Sequence, residues 1–447
     1  MTFGVNDLIN CINQAATRSN LTALEILQLT GSECQLNDKC TVFSVACQAS
    51  LPTASCNTGR FVYVTNESKY YFSTGAAWTS DVSGITSAVW SWGNNSDGQL
   101  GDNTTVNKSS PVSVVGIFTD WCQVSSGLCH SLAVRSNGTA RAWGNNTCGR
   151  LGDNTTENKS SPVSVVGGFT DWCQVSAGRE HSLGVRTNST AWAWGCGGSG
   201  RLGNNSTTNR TSPVSIIAFS DWSRVSAGGF HSLGLRTNGT IWAWGFNDCG
   251  QLGNNSTSST SSPVSVVGGF TDWCQLSTGF KHSLAIRTGG TAWAWGNNYY
   301  GQLGDGYSGA GYTRSSPVSV IGGFTNWCQL SGGYMFSLGV RQNGTAWGWG
   351  RGASGQLGNN SAIGSQPSPV SVVGGFTDWC KISAGSTHSL GLRQNGTLWS
   401  WGNGDSLGNN CTTNRSSPVS VVGGYTDWWD VSGGGNSSLA IRKSCGF

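Results

Sequence analysis

From residue 85 onward the apolar positions come in short bursts rather than long periodic stretches. Val163-Ser164-Val165-Val166, Trp172-Cys173-Gln174-Val175-Ser176, His181-Ser182-Leu183-Gly184-Val185-Arg186 and Ala191-Trp192-Ala193-Trp194 follow one another, with Gly, Asn, Ser and Thr between them. Bursts of this length, rich in β-branched and aromatic side chains and bounded by turn formers, predict strands. Asn-Gly stands between the third and fourth of them in most units, as at Asn238-Gly239, Asn343-Gly344 and Asn395-Gly396. It supplies the positive φ angles of a type I′ turn and so predicts a tight hairpin. On the last strand Trp takes alternate positions, Trp192 and Trp194 or Trp242 and Trp244, so both indoles leave one face and need a neighbouring layer to cover them. Each such indole removes roughly 150–250 Å² from water, worth about 4–6 kcal/mol at ~25 cal/mol/Å² as an upper bound.

The pattern repeats. Trp-Gly recurs at Trp92, Trp143, Trp194, Trp244, Trp295, Trp349 and Trp401, at intervals of 51, 51, 50, 51, 54 and 52 residues. A fixed period of this size marks a propeller or an array. The final unit ends at Leu439-Ala440-Ile441-Arg442-Lys443 with no Trp-bearing strand behind it, while Ile85 to Trp92 is such a strand with no unit in front of it. Residues 85–92 are therefore expected to pair near Leu439 to Arg442 as the fourth strand of the last blade, closing the ring and removing its exposed edges. The fold class that follows is all-β: a seven-bladed β-propeller of four-stranded blades over residues 85–447, closed by an N-terminal strand and preceded by a small α+β segment, residues 1–84. In that segment Thr22 to Glu25 fits a capping box ahead of Ile26-Leu27-Gln28-Leu29. Phe61 to Val64 and Lys69 to Phe72 read as a hairpin. Leu24, Ile26, Leu27, Phe61 and Tyr63 are more apolar surface than so short a stretch buries alone, which points to a docking role.

Trp-Gly, Gly-Gln-Leu-Gly (Gly98 to Gly101 and Gly301 to Gly304), Val-Ser-x-Gly and His-Ser-Leu-x-x-Arg at this spacing resemble the regulator of chromosome condensation family over residues 85 to 442. The resemblance implies the seven-bladed propeller. It narrows function less, since it spans nucleotide-exchange factors, chromatin binders and inhibitors of β-lactamases. Residues 1–84 are similar to small modules of bacteriophage tail and fibre proteins.

Composition removes several function classes. Charged residues are 10% of the 447, against roughly 25% in an average soluble protein, and Gly reaches 67 and Trp 22. Lys+Arg 25 against Asp+Glu 21, with no basic run, argues against nucleic acid as a partner. The start of the chain lacks a signal peptide's basic and apolar regions, and no stretch approaches the ~20 apolar residues of a membrane span. His130, His181, His231, His282 and His388 fall once per blade, with Phe336 and Ser437 in two others, which suits structural hydrogen bonds rather than a metal site or a base. Arg135, Arg186, Arg236, Arg287, Arg341, Arg393 and Arg442 end one strand, and Asp120, Asp171, Asp221, Asp272, Asp378 and Asp427 (Asn326 in the remaining blade) start its neighbour, which predicts local ion pairs. Cys122, Cys173, Cys274, Cys328 and Cys380 occupy equivalent blade positions, too distant from one another to bridge, and are expected unbridged. Disulfides, thiols and a metal site all stay open for Cys34, Cys40, Cys47 and Cys56. Asp102, Asp153, Asn204 and Asn254 after Leu-Gly read as turn residues rather than calcium ligands. With neither paired catalytic carboxylates nor a phosphate-cradling loop, the expectation is a non-enzyme with no cofactor and no metal.

Strand direction puts the loop after Trp-Gly and the turn before His on one face, and the Gly-Gly-Phe-Thr-Asp and Asn-Gly turns on the other. The repeats differ mainly on the first face, at Arg179-Glu180, Phe230, Phe280-Lys281 and Tyr334-Met335, and in the longest loop at Tyr299, Tyr300, Tyr307 and Tyr312. Aromatic side chains among small polar ones are the means of a binding surface. These eleven residues form the expected site, with no catalytic or metal-binding residue. Low charge, near-identical repeats and the N-terminal segment lead to an expected virion protein of a phage tail or fibre, made in the host cytoplasm. Residues 1–84 would bind other virion proteins and the propeller loops a host surface protein or glycan, with homo-oligomers compatible. The alternatives are an intracellular guanine-nucleotide exchange factor or chromatin adaptor, and a secreted inhibitor.

Overall fold

The computed structural model describes residues 42–45, 61–64, 69–73, 78–79 and 85–445. Residues 85–445 build seven antiparallel four-stranded sheets. In the blade that holds Trp172–Ala177, His181–Arg186, Ala191–Gly195 and Arg210–Ser215, the strands run outward from the axis in that order. Trp172–Ala177 and its six counterparts, Trp121–Ser126, Trp222–Ala227, Trp273–Thr278, Trp327–Gly332, Trp379–Ala384 and Trp428–Gly433, pack side by side in a closed ring. Blades are numbered here from the one that opens with Trp121.

The Ser-Pro strand belongs to the blade of the Trp-Gly strand before it, not to the one after. The intervening loop is folded back at its root by one asparagine: Asn146 N–H donates to Asn158 Oδ1 at 2.9 Å, and Asn146 Oδ1 accepts from Leu151 N–H at 2.9 Å. Lys159–Ser164 therefore returns along Ala140–Gly144 as the outermost strand. Closure is consequently two strands and two, a correction to the expected three and one. Trp428–Gly433 and Ser437–Cys445 complete a sheet with Ile85–Gly93 and Lys108–Ser113. The expected partner strand is right, with register from Ser437↔Gly93 to Cys445↔Ile85. Ahead of the propeller, Val42–Val45, Phe61–Val64, Lys69–Ser73 and Trp78–Thr79 form a further sheet. It contains the expected hairpin, with Phe61 opposite Phe72. The helix expected around residues 22–29 and Cys34, Cys40, Cys47 and Cys56 lie outside the described residues.

Tryptophan fills every seam between blades. Trp194, fully buried, sits 5.8 Å from Trp172 of its own blade and packs on Leu132, Val134 and Leu151 of blade 1. The pair recurs in every blade with centroids 5.7–6.3 Å apart. Gly152 makes room for it: at φ +68° it takes a backbone conformation that L side chains avoid, and a Cβ there would lie 2.8 Å from Trp194 Nε1.

Nearer the axis, side-chain amides span adjacent inner strands. Gln123 Nε2 donates to Val175 O at 3.0 Å while its Oε1 accepts from Val175 N–H at 2.8 Å. Gln174, Gln275 and Gln329 bond Val225, Leu330 and Ile382 in the same two-way fashion. At the seam of blades 6 and 7 an ion pair replaces the amide: Lys381 meets Asp430, whose other oxygen accepts from Val124 N–H of blade 1 at 3.2 Å.

Farther out, each histidine bridges to a serine of the next blade, as His181 Nε2 does to Ser232 Oγ at 2.8 Å. Every such serine spends its one proton on a loop carbonyl, Ser232 on Arg201 O at 2.8 Å, so the histidine must be the donor and carries its proton on Nε2. The Nδ1 atoms of all five are buried without a hydrogen-bond partner. Burial accordingly holds His231 and His282 down to about 3 and His388 to about 4, with His130 and His181 well below the usual imidazole range. The expected structural role of the ring is what the geometry shows.

Cys122, Cys173, Cys328 and Cys380 place their sulfurs 3.3–3.4 Å from a carbonyl of the adjacent strand. Cys274 is disulfide-bonded, a correction to the expectation. The blade-to-blade distance that forbids bridges among the five equivalent positions does not bear on a sulfur elsewhere in the chain.

Two outcomes test the seams. Each histidine has a folded-state pKa below its unfolded value, so the unfolded chain binds more protons and stability falls as pH drops from about 6.5 toward 4. The loss is roughly 1.4 kcal/mol per histidine per pH unit in that window. Urea midpoints between pH 7 and 4.5 should follow this slope, His282→Gln should flatten it by about one histidine's share, and a flat profile would contradict the assignment. At the last seam, Asp430→Ala leaves Lys381 without its buried partner and should cost about 3–5 kcal/mol. Lys381→Gln with Asp430→Gln rebuilds the amide bridge of the other seams and should recover most of that loss in denaturant titration.

Candidate functional site

The two faces of the ring differ in kind. On the face of the Gly-Gly-Phe-Thr-Asp turns, the expected ion pairs are present at 2.8 Å in six blades, with Arg341 donating to Asn326 at 2.8 Å in the other. Each guanidinium also lies 3.4–4.5 Å from the centroid of an aromatic ring in the turn. This arrangement, repeated around the ring, holds the turns and leaves little there to distinguish one blade from another.

On the opposite face the inner strands end at the mouth of the central channel, a cavity of about 210 Å³ walled by small residues such as Ser176, Ala177, Ser226 and Gly228. Around it, in six of the seven blades, the residue after the glycine that follows the inner strand donates its N–H to the next blade's glycine carbonyl, as Arg179 does to Gly228 at 3.2 Å and Phe280 to Gly333 at 3.1 Å. The backbone repeats, but the side chains it presents do not. Leu128, Arg179, Gly229 with Phe230 behind it, Phe280 and Tyr334 occupy blades 1 to 5, and Ser386 and Gly435 occupy blades 6 and 7.

The large side chains form one arc. Phe230 meets Phe280 at 5.1 Å and Phe246 at 6.0 Å, and Phe280 continues to Tyr334 at 4.2 Å. Arg179 places its guanidinium 4.9 Å from the Phe230 ring and 5.3 Å from Phe280. Glu180 pairs with Arg201 at 2.8 Å and reaches Arg179 at 3.4 Å. Lys281 is neutralised by Asp248 at 2.6 Å, and Met335 takes a contact from Gln302 Nε2 at 3.7 Å. Of the tyrosines in the long loop, Tyr300 packs on Tyr299 at 4.9 Å and under Arg351 at 5.5 Å. Tyr307 and Tyr312 stack on each other at 5.2 Å, with Arg314 at 5.6 and 5.9 Å. Tyr299, Tyr307 and Tyr312 are 53, 53 and 41% exposed. The eleven expected residues thus divide into an inner arc at the channel mouth and an outer tyrosine group on blade 4.

The structure adds residues that the sequence reading missed. Arg150 and Arg201, each 6% exposed, replace the Gln of Gly-Gln-Leu-Gly in two units, and that substitution was the available signal. Arg150 donates to Thr147 O and Arg179 O, both at 3.1 Å, and Arg201 to Gly198 O at 2.8 Å. Burial pulls both guanidiniums below their ordinary pKa, which still leaves them cations. Phe246 and Arg351 occupy the position directly after Trp-Gly. At several seams that position meets the fourth loop residue of the preceding blade: Asn145 donates to Asp97 at 2.9 Å, Asn297 to Cys249 at 3.5 Å, and Arg351 covers Tyr300. Between blades 1 and 2 the same pair of positions is the Cys148–Cys196 disulfide, with α-carbons 5.0 Å apart, beside Arg150. Among the described residues no group of His, Cys, Asp and Glu is arranged to hold a metal ion. Asp102, one of the turn candidates, accepts from Thr104 N–H and Oγ1 at 3.1 and 2.8 Å.

The RCC1-like domain matches residues 73–371, and a regulator of chromosome condensation (RCC1) repeat matches residues 379–407. The ultraviolet-B receptor UVR8 of Arabidopsis thaliana is 28% identical over 322 residues, 71% of this chain and 61% of that protein. The E3 ubiquitin-protein ligase HERC2 of Homo sapiens is 27% identical over 308 residues, 68% of this chain and 5% of that protein. The chain therefore spans less than two thirds of either relative. The structure of Prp20p from Saccharomyces cerevisiae superposes with a TM-score of 0.72 at 22% identity, over 80% of this chain and 91% of that one, a likeness of fold. The plant and human relatives overturn the expected phage tail or fibre component: near-identical repeats and low charge reflect how blades pack, not where the protein is displayed. No helix among the described residues is long and apolar enough to cross a membrane. Repeat signature, two-and-two closed ring and domain match agree, and the chain belongs to the RCC1-like family.

Proposed function

We propose that this chain is a non-enzymatic protein-binding propeller that takes its partner on the loop face, at the arc from Arg179 to Tyr334. One observation carries the reading: on a ring whose other face is nearly uniform, Arg179, Phe230, Phe280 and Tyr334 form a continuous cation–aromatic surface at the channel mouth. Such side chains give contact area at low entropic cost and dominate interface energetics. Protein binding also suits the family, since Prp20p is described by its binding properties to Gsp1p and histones. The rigid seams hold the arc in place without the partner, which lowers the ordering cost of association.

Phe280→Ser with Tyr334→Ser should leave thermal unfolding close to that of the parent and weaken partner binding by about 10-fold or more, as loss of central aromatic anchors does. Ile117→Ser, at a 95% exposed position on the other face, should bind as the parent does. Quantitative crosslinking of the three tagged chains in their native cells reads this out. Partners lost with Ile117→Ser and kept by the double variant would reverse the faces.

A further inference from the structure

We infer that the arginine end of the arc is a receptor for a carboxylate, so that the partner docks an Asp or Glu flanked by an apolar or aromatic residue. This rests on the loop face as binding surface and adds the chemistry of what binds there. Arg179 and Arg201 both face Glu180, and Arg150 adjoins them through its bond to Arg179 O. Asp97, farther out, is engaged by Asn145 and Asn158, both at 2.9 Å. Arg201 holds Glu180 Oε2 at 2.8 Å, while the other oxygen stays 3.4 Å from Arg179 Nε, long for a charge-assisted bond. That Nε is buried and makes no hydrogen bond.

Arg179 is thus an under-used cation, with its side chain 34% exposed and its guanidinium packed on one side against the neighbouring Phe230 and Phe280 rings. Contact with the rings strips water from one side of the guanidinium, so a ligand meeting its edge displaces less than it would at a fully hydrated arginine. The two terminal nitrogens of that edge match a carboxylate in a bidentate pair. Arg150 and Arg201 add positive potential but are buried and tied to backbone carbonyls, so they position rather than touch the ligand. A phosphate, with more charge and a third oxygen to satisfy, calls for several exposed guanidiniums, whereas one exposed fork suits a carboxylate. Next to the fork, Phe280 and Tyr334 at 4.2 Å offer the apolar shelf for the flanking residue.

The test is a selection from a random-peptide display library on the folded chain, in parallel on Arg179→Met, Arg179→Lys and the Phe280→Ser, Tyr334→Ser double variant. Selected peptides should carry Asp or Glu beside an aromatic or branched apolar residue. A synthetic copy of a selected peptide should lose about 10- to 100-fold in affinity on Glu→Gln exchange or against Arg179→Met. Arg179→Lys should lose less, and inorganic phosphate should compete no better than acetate. Neutral or basic peptides, peptides indifferent to Arg179→Met, strong competition by phosphate, or no enrichment over a blank support would each overturn the carboxylate assignment. Neutral peptides that bind the parent and fail on the double variant would leave the loop-face reading standing. Peptides indifferent to the double variant would remove both.

Discussion

A four-stranded blade has two faces to bury and nothing of its own to bury them with, so the whole molecule depends on the seating of one blade on the next. Trp194 and its counterparts supply the contact, and the second tryptophan of each pair keeps the first from sliding along the strand. The indole lies against a glycine held at positive φ, so the loop that carries this glycine is part of the seam. Packing of this kind tolerates little change in volume. That explains why the tryptophans and glycines recur at every unit while the loops around them vary.

Apolar packing alone would leave polar groups stranded toward the axis, where the inner strands come close but do not pair. Gln123, Gln174, Gln275 and Gln329 meet this need because a primary amide has both a donor and an acceptor and copies what a neighbouring strand would offer. The histidine–serine bridges do the same farther out, with a neutral imidazole whose second nitrogen is sealed off. At the last seam a charged pair takes over, joining blade 6 to blade 7 and blade 7 on to blade 1 through Asp430. The ring is therefore latched by side chains as well as by Ile85–Gly93.

A ring held in this way releases its loops from any duty in folding beyond their roots. At four seams the position after Trp-Gly meets the fourth residue of the previous loop, yet that meeting is an Asn–Asp hydrogen bond, a disulfide, an Asn–Cys contact or an Arg–Tyr stack. Variation is thereby concentrated where it changes the outer surface and not the seam. The cation–aromatic arc is the largest product of that freedom, and its placement at the channel mouth follows from the backbone ring that sets each turn beside the next.

The sequence by itself determined the strands, the period, the blade number, the partner of the closing strand, the direction of the two faces and the pairing of Arg with Asp. Each of these rests on spacing along the chain or on chemistry between neighbouring strands, which local pattern encodes. It placed Arg179, Phe230, Phe280 and Tyr334 on one face because strand direction alone decides that. Only the tertiary structure decided that these four touch while Tyr307 and Tyr312 stack apart, and that Arg150 and Arg201 complete the cluster from the loops after Trp-Gly in blades 1 and 2. It also decided that the Ser-Pro strand closes the blade before it, and that Cys148 bridges to Cys196 although they hold different places in their repeats. Most of these are contacts between one unit and the next. A repeat read along its own length specifies what each blade is; the angle and distance at which successive blades seat, set by the tryptophan seams, specify what they bring together.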